Sequence, residues 1–507
     1  MSTLRWASPI RRDGLRELSS IPNEIYLEIM SYLKPSNSPS ADPGSSTQDL
    51  RNMARVCRYF CSIALPWIFE SFSLVIGGTE AGSGPESRTK FCRRLLNGEE
   101  AAQTVARFVK KCTISLASQC TEVGWALREV LSMYSKAIAH MPNIEEIVLS
   151  EVFIDNDTLK SLGGLKRLKT LRLLGCELVR DAKEKHLAKL STLRLSFFEL
   201  RLFPHHLDES NESLIPFLKQ INWSCITKFM ATEVAPIIES AWLSSKSLPL
   251  VELDLFFMEM GPLFHVLTQT PSLRILRIRS APDPHQTPPD SSTVPMLEEL
   301  KAPSSVCRML VPGRPITNLS LIDMNKPMTL GLAEANIFQA TSRPISQLRV
   351  PVEFYLSVPF WRHFPSLRTL RLDLVDYHGT MGHTIRFPIQ QTISNFTEAW
   401  PRHPPLHTLV FESGTFWRTK ELLDLEQQHS WIKSSLMPKF PALRICSFSK
   451  HIEWHYEHCD EANALWKPSI PDSHVHEVRK LLQRVGGGHF IDFDNCFEKI
   501  LFPPSPS

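Results

Sequence analysis

Apolar residues recur at every fourth position close to the start of the chain. The series comprises Ile21, Ile25, Ile29 and Leu33. On a helix, residues four apart lie on one face, so the series predicts an amphipathic helix. Pro22 falls in the first turn of this helix, where its missing backbone N–H costs nothing.

A second helical pattern follows after a segment rich in Ser and Pro. Its apolar residues, spaced by three and four positions, are Leu50, Met53, Ala54, Cys57, Phe60, Ile63 and Ala64. Pro66 is expected to end this helix, because Pro lacks a backbone donor and clashes with the preceding turn. A module of about 55 residues buries only a modest share of its surface, so we expect contacts with a partner or with the rest of the chain to stabilise it.

From about Val105 onward, one phrase of apolar and polar positions keeps returning: an apolar residue, two polar residues, an apolar residue, one polar residue and a last apolar residue. Copies include Ile144, Ile147 and Leu149; Leu168, Leu171 and Leu173; Leu190, Leu193 and Leu195; Leu250, Leu253 and Leu255; Leu273, Leu276 and Ile278; and Leu367, Leu370 and Leu372. Each phrase ends in the alternation typical of a short strand with one buried face. Because repeated strands pair with the next copy, the phrase predicts a parallel sheet in a curved solenoid, with helical or irregular return segments.

Composition narrows the class of protein. The chain has 507 residues, which favours a small domain followed by a long array or several compact domains. Its 56 Lys and Arg against 53 Asp and Glu leave a formal charge of +3, so composition predicts neither nucleic-acid nor membrane binding. No apolar run approaches the ~18 residues of a membrane span, and the 11 Cys have no paired spacing. We therefore expect a soluble, thiol-reduced protein of the cytoplasm, the nucleus or both.

The helical module resembles the F-box, the module through which substrate receptors bind the Skp adaptor of cullin-RING ubiquitin ligases. The family start, Leu-Pro-x-Glu-Ile, is matched by Ile21, Pro22, Asn23, Glu24 and Ile25. The later family motif is matched by Asp49, Leu50, Val56, Cys57, Arg58, Phe60, Ala64 and Pro66. The sequence departs from the family in the Ser- and Pro-rich residues 34–48, which are interpreted as a disordered inserted loop.

The resemblance implies which residues contact the adaptor. They are Ile21, Pro22, Ile25, Ile29, Leu33, Leu50, Val56, Cys57 and Phe60. Some of these must instead hold the core of the module, and the sequence leaves that division open.

The repeated phrases resemble the leucine-rich-repeat region that often follows an F-box, in its irregular fungal form. Most intervals between copies lie in the range of about 20 to 29 residues of such repeats. The Asn or Cys that follows the last Leu in the family appears once, as Cys176. The resemblance implies an α/β fold: a small all-α F-box, then parallel strands on the concave face of an irregular solenoid and helices on its convex face.

The chain is divided accordingly into five parts. Residues 1–17 are predicted to be a disordered N-terminus, 18–74 the F-box, 75–100 a linker and connecting helix, 101–466 the repeat array, and 467–507 a C-terminal cap and disordered tail.

One residue in each predicted strand points to the concave surface, because side chains alternate along a strand. These residues are Thr113, Val148, Arg172, Arg194, Met230, Asp254, Arg277, Lys301, Ser320, Arg349, Arg371, Val410 and Ser447. Six of them are basic: Arg172, Arg194, Arg277, Lys301, Arg349 and Arg371. This row predicts binding to an acidic or phosphorylated protein substrate, whereas exposed Arg side chains that only cover apolar neighbours are the alternative.

The sequence offers little for catalysis. The segment HIEWHYEHC places His451 and His455 at a helical spacing, with His458 and Cys459 nearby, but it lacks the HExxH pattern of zinc proteases, so no metal site is predicted. Gly486 to Gly488 lack the Lys-Ser/Thr of a phosphate loop, and no GxSxG turn is present. We therefore expect neither cofactor nor enzymatic activity of the chain itself.

Together these patterns predict a substrate-recognition subunit of an SCF-type (Skp-cullin-F-box) ubiquitin ligase. The Skp adaptor would bind the F-box and a protein target would bind the repeat array. Two alternatives remain: a repeat scaffold that binds partner proteins without ubiquitin transfer, with or without the Skp adaptor, and a hydrolase or metalloenzyme with a chance helical hairpin.

Overall fold

A computed structural model describes residues 23–33, 43–76, 85–116, 125–202, 214–232, 247–257, 260–280, 290–322, 332–357, 360–374, 389–398, 405–412, 425–449, 451–458 and 464–471. The chain divides into two compact units, Met1–Ile226 and Thr227–Ser507.

The first unit begins with a helical module and continues into alternating helices and strands. Its helices are α1 (Asn23–Ser31), α2 (Pro43–Ala54), α3 (Arg58–Ile68), α4 (Pro85–Leu96), α5 (Glu100–Ala106), α6 (Trp125–Ile138), α7 (Asn156–Leu162), α8 (Glu184–Leu187) and α9 (Ile215–Gln220). Its strands are β1 (Ser71–Ile76), β2 (Lys111–Leu116), β3 (Glu146–Ser150), β4 (Phe153–Ile154), β5 (Thr170–Leu174), β6 (Glu177–Leu178) and β7 (Phe197–Arg201). Strands β1, β2, β3, β5 and β7 pair in that order, all parallel, and β4 pairs with β6.

The second unit continues the same alternation. Its strands are β8 (Lys228–Thr232), β9 (Glu252–Phe257), β10 (Ile275–Ser280), β11 (Glu299–Ala302), β12 (Asn318–Leu321), β13 (Gln347–Pro351), β14 (Thr369–Asp373), β15 (Thr408–Glu412), β16 (Ile445–Ser449), β17 (Ile452–His458) and β18 (Ala464–Ser469). Its helices are α10 (Met260–Thr268), α11 (Ser304–Leu310), α12 (Leu332–Gln339), α13 (Val352–Ser357), α14 (Phe360–His363), α15 (Ile389–Glu398) and α16 (Leu425–Trp431). Neighbours from β8 to β16 pair in parallel, and β17 and β18 add antiparallel strands at the end.

Most strands form where the repeated phrase predicts them, because its last two apolar residues face the covered side of the sheet. Leu253 and Leu255 of β9 are buried, and so are Leu276 and Ile278 of β10. A single side chain separates the two buried residues on each strand, as the two-residue period of a strand requires. The mixed α/β class and the parallel strands are therefore present as predicted.

One backbone hydrogen-bond pattern opens successive strands and keeps them in phase. The N–H groups of Val251 and Glu252 both donate to the carbonyl of Thr227, at 2.8 and 3.0 Å. Arg274 and Ile275 in turn donate to the carbonyl of Val251, at 2.9 and 3.0 Å. Thr227 and Val251, whose carbonyls each accept two hydrogen bonds, directly precede β8 and β9. The pattern therefore aligns the start of each strand with the start of the one before it.

The phrase at Leu190 predicts the wrong frame for its strand. Residues Ala188–Thr192 form a 3₁₀ turn, and Leu193 and Leu195 are buried in the extended segment that follows. The strand starts at Phe197, where Ser196 and Phe197 donate to the carbonyl of Lys169. The following residues also alternate apolar and polar, so the sequence holds two competing frames, and the hydrogen bond to Lys169 selects the later one.

Three other local predictions need correction. Helix α3 runs to Ile68, so Pro66 lies inside its last turn and does not end it. Helix α2 begins at Pro43, so the final part of the predicted 34–48 loop is helical, while residues 34–42 lie outside the described part of the chain. Within the HIEWHYEHC segment, Ile452–His458 form β17 and not a helix, because they pair with β16 and β18.

The predicted domain ends fall only partly within the described residues. Residues 1–17 and the predicted cap helix at 476–485 lie outside them. The boundary predicted at 466 falls within β18, so the antiparallel end of the sheet begins earlier than the predicted cap.

Candidate protein-interaction surfaces

The helical module closes a small core of its own. Met30 of α1, Leu50 of α2 and Ala64 of α3 are fully buried together. Partly buried side chains pack around them: Leu33, Met53, Ala54, Phe60, Ile63, Trp67 and Ile68. Tyr26 also ties α1 to α3, since its ring lies 5.6 Å from that of Tyr59 and 5.5 Å from that of Phe60. Each of the three helices thus contributes to one small core.

Several large apolar side chains of the same module stay exposed. Ile25 and Ile29, one turn apart on α1, are 44% and 53% exposed. Val56, in the turn before α3, is 63% exposed, and Leu27 and Tyr32 are exposed as well. Ile25 and Ile29 share one face of α1, and neighbouring exposed apolar side chains of this kind are typical of a protein-binding surface.

The structure divides the nine residues predicted to contact the adaptor. Ile25, Ile29, Val56 and Cys57 are exposed. Leu50 is buried, and Leu33 and Phe60 are partly buried against the core to which it belongs. Ile21 and Pro22 lie outside the described residues. Leu27 and Tyr32 were missed, although each is an apolar residue beside the predicted stripe.

A second surface is the open face of the sheet, defined as the face bearing the side chains that alternate with the buried ones. In the first unit Ser73, Thr113, Val148, Arg172 and Glu199 stand in register. In the second unit the row is Met230, Asp254, Arg277, Lys301, Ser320, Arg349, Arg371, Val410 and Ser447. Twelve of the thirteen residues predicted for this row occupy it, all within the described strands.

Arg194 is the exception among the predicted basic residues. It lies before β7, and Glu199 takes the position in register with Arg172. Glu199 is buried, and Arg172 Nη1 lies 3.6 Å from its carboxylate. Arg172 Nε also lies 3.2 Å from Glu146. The row in the first unit therefore carries one of the two predicted basic residues, Arg172, and that arginine is paired with carboxylates.

Arg277 is held by carboxylates on the strands at either side of it. Its Nε and Nη2 donate to Glu299 at 3.1 and 2.8 Å, and its Nη1 donates to Glu252. Burial alone would raise the pKa of Glu252, but Lys228 at 2.9 Å and Arg277 outweigh burial and lower it. The charge of Arg277 is thus largely compensated inside the sheet.

Arg349 and Arg371 share a second acidic cluster. Arg349 donates to Asp373 at 3.0 and 3.1 Å and pairs with Glu412, and Arg371 Nη1 lies 3.3 Å from Glu412. Burial raises the pKa of Asp373, since the attraction of Arg349 only partly offsets it. These carboxylates sit two residues before or after the central row, which is why a count along that row alone overstates the basic character of the face.

Lys301 differs from its neighbours. Within the described residues, its ammonium group makes no hydrogen bond or ion pair, although its side chain is half-buried. Burial lowers the pKa of Lys301, and Arg349 and Arg279 lower it further. Of the six predicted basic residues, Lys301 is thus the half-buried one that lacks a carboxylate partner.

Only part of the histidine segment is described, since the side chain of His458 lies outside the described residues. His451 is buried before β17, and His455 lies on β17 with its Nε2 3.5 Å from Glu453. Among the described residues, no group of His, Cys, Asp and Glu has a geometry that would hold a metal ion. Cys459 lies outside the described residues.

Comparison with known proteins identifies the helical module. Residues 18–72 match the family model described as F-box-like. The chain therefore carries an F-box-like domain at its start, as the resemblance of the helices predicts. No curated protein matches the chain.

Within the described residues, none of the helices combines the length and apolar character that crossing a membrane requires.

Proposed function

With an F-box-like domain at its start, we propose that the chain is the substrate-recognition subunit of an SCF-type ubiquitin ligase. F-box domains generally bind the Skp adaptor. The observation that carries the proposal is that the module completes its core with Met30, Leu50 and Ala64 and still exposes Ile25 and Ile29. Exposed apolar residues on a folded module supply the apolar contact that a stable partner interface needs.

The rest of the chain would hold the protein target. We interpret the register of β8 to β16, with one strand and one return segment per repeat, as an irregular leucine-rich-repeat solenoid. Its open face offers a row of polar side chains from neighbouring strands, which suits a protein segment laid across them. The target proposed from the basic row is an acidic or phosphorylated protein.

In this role the chain itself performs no chemistry. A cullin-RING assembly would bring a conjugating enzyme to the adaptor, and the chain would bring target lysines close to the thioester. Such a receptor contributes effective concentration and orientation, so it needs a rigid scaffold and no nucleophile. The proposed location of the chain in this role is the cytoplasm, the nucleus or both.

The first test is co-expression of the full chain with the Skp adaptor, comparing the wild type with an Ile25→Asp, Ile29→Asp double variant. Both side chains are exposed, so the variant should fold while placing charge in the apolar contact. We expect adaptor binding to weaken by about 100-fold or more. Met296→Asp is the matched control, because Met296 is an equally exposed apolar residue of the second unit.

The outcomes separate the candidate functions. Co-purification of cullin with the wild type and the adaptor supports the ligase role. Adaptor binding without cullin indicates the scaffold alternative. Equal adaptor binding by the wild type and the double variant, or none by the wild type, would overturn the proposed docking surface.

A further inference from the structure

Lys301 occupies the centre of the open face of the second unit. Its register partners are Arg277 on β10 and Ser320 on β12, and Arg349 follows on β13. Neighbouring strands lie about 4.8 Å apart, so Lys301 and Ser320 stand side by side with an arginine on either flank. The four residues form a short row across four adjacent strands.

The carboxylates around this row are already engaged. Glu299 accepts from Arg277 through one oxygen and from the Asn318 amide, at 3.2 Å, through the other. Asp373 accepts from Arg349 through both of its oxygens. Glu412 pairs with Arg349 and Arg371. Asp254 lies 3.8 Å from Arg279. Each nearby carboxylate thus has an arginine partner.

Formal charges on the described open face from β8 to β15 leave one cation in excess. The cations are Lys228, Arg277, Arg279, Lys301, Arg349 and Arg371, and the carboxylates are Glu252, Asp254, Glu299, Asp373 and Glu412. Lys301 is the cation of this set for which the described residues provide no hydrogen-bonded or ion-paired carboxylate. The hydroxyl of Ser320 beside it likewise makes no hydrogen bond within the described residues, although Ser320 is only 8% exposed.

A half-buried ammonium group without a hydrogen-bonded carboxylate is costly, because burial removes water and the more distant charge of Asp254 only partly offsets that loss. Burial and the charges of Arg349 and Arg279 lower the pKa of Lys301, so the positive potential of the paired arginines still reaches its amine. A bound anion would relieve both effects at once. The ammonium supplies up to three donors and the Ser320 hydroxyl one more, which matches a group with several acceptor oxygens.

We propose that Lys301 and Ser320 form a subsite that binds one oxyanion group of the target, a phosphate or a side-chain carboxylate. Arg277 and Arg349 flank the subsite and add positive potential, but their own donors are committed to carboxylates. This inference rests on the proposed function, since it names the part of a target that the open face binds.

The subsite also changes which substitution is informative. Reversing Arg277 or Arg349 to Glu would set a new carboxylate against Glu299 or Asp373 and would disturb the sheet whether or not a target binds. Lys301→Met removes only the unpaired ammonium and keeps the length of the side chain.

The test reads the reactivity of individual lysines in the purified full chain. Lysines are reductively methylated at constant ionic strength with increasing inorganic phosphate, and peptide mass spectrometry follows Lys301 and Lys228. Lys228 is the matched control, because it lies on the same face and is paired with Glu252 at 2.9 Å. We expect millimolar phosphate to slow the labelling of Lys301 at least threefold and to leave that of Lys228 unchanged.

A parallel series with sodium acetate distinguishes the two sources of the oxyanion. Protection by both anions indicates that a carboxylate suffices, and protection by phosphate alone indicates a phosphorylated side chain. No protection of Lys301, or equal protection of Lys301 and Lys228, would overturn the subsite.

Variants separate the subsite from the proposed receptor function. Phosphate binding measured by calorimetry should be lost in Lys301→Met, be weakened in Ser320→Ala and persist in Lys433→Met, a control on the exposed side of another segment. Undiminished phosphate binding by Lys301→Met would contradict the proposal. Lys301→Met should still co-purify with the Skp adaptor. Phosphate binding therefore tests the subsite, and co-purification tests adaptor docking, independently of each other.

Discussion

Ile29 and Met30 are neighbours on α1, yet Ile29 is 53% exposed while Met30 is fully buried. Consecutive residues of a helix point about 100° apart, so one can face the module core and the other solvent. The two side chains therefore separate what the module needs for folding from what it offers to a partner. Leu50 belongs with Met30, which makes it unsuitable for testing the docking surface.

Met30→Ala should destabilise the helical module by about 2–5 kcal/mol, because it removes buried methylene groups and leaves a cavity. Ile29→Ala should change the free energy of unfolding by less than about 0.5 kcal/mol, since its side chain is largely in water. Hydrogen exchange of the backbone amides of α3 measures both effects in the full chain. Equal acceleration by the two substitutions would contradict this division of roles.

Arg314 is a buried cation held by backbone carbonyl groups. It is 1% exposed, and its guanidinium donates to the carbonyls of Asp290, Thr293 and Leu310 at 2.9, 3.0 and 3.1 Å. Arg314→Met should lower the free energy of unfolding by about 3 kcal/mol, because several buried acceptors lose their donor. Urea unfolding of the second unit provides the measurement. The exposed Arg343→Met substitution is the control, and a comparable loss in that variant would refute the assigned role.

Asp155 caps α7. Its Oδ1 accepts from the backbone N–H and the hydroxyl of Thr158, both at 2.7 Å. Asp155→Ala should cost about 1 kcal/mol, which corresponds to roughly fivefold faster amide exchange in α7. Asp155→Asn should retain most of the protection, because Asn accepts the same hydrogen bond. Identical exchange in the alanine variant and the wild type would show that the cap contributes nothing.

Glu252 should make the stability of the second unit depend on pH. Lys228 and Arg277 lower the pKa of Glu252 in the folded chain despite its burial. The ionised carboxylate therefore contributes to the free energy of unfolding above the ordinary glutamate pKa of about 4.3. That contribution is lost as the pH falls through the lower pKa of the folded state. Glu252→Gln should therefore be less stable than the wild type at pH 7, with a difference that shrinks in acid. Unfolding curves between about pH 3 and pH 7 measure it, with the exposed Glu426→Gln as the reference. A difference independent of pH would contradict the assignment.

Much of the fold could be predicted from the alternation of residues alone. The phrase at Leu250 and at Leu273 places the two buried residues of β9 and β10 correctly, because a period of two fixes which side of a strand faces the core. The phrase at Leu190 fails for the same reason, since the next residues carry an equally good alternation. In the structure the later frame pairs with β5, and Ser196 and Phe197 donate to the Lys169 carbonyl.

The sequence predicts some features of the docking module and of the open face of the sheet, but not others. The sequence identifies the helical patterns around Ile29 and Leu50, which form α1 to α3, as a docking module, but it cannot divide Ile29 from Leu50, because both are apolar residues in helical patterns. The central basic row is visible in the sequence, whereas the carboxylates that neutralise Arg277 and Arg349 come from neighbouring strands. Their pairing depends on register, which the sequence alone does not specify residue by residue.

The sequence by itself determined the local features of this protein: the helical module with its F-box-like motif, the phase of most strands and the side chains on the open face. These follow from short-range periodicity and residue type. The tertiary structure decided which apolar residues are core, which cations are paired and that Lys301 has no ion-pair partner among the described residues. Burial and charge compensation are set by residues far apart in the chain, so they appear only when the strands and helices are packed together.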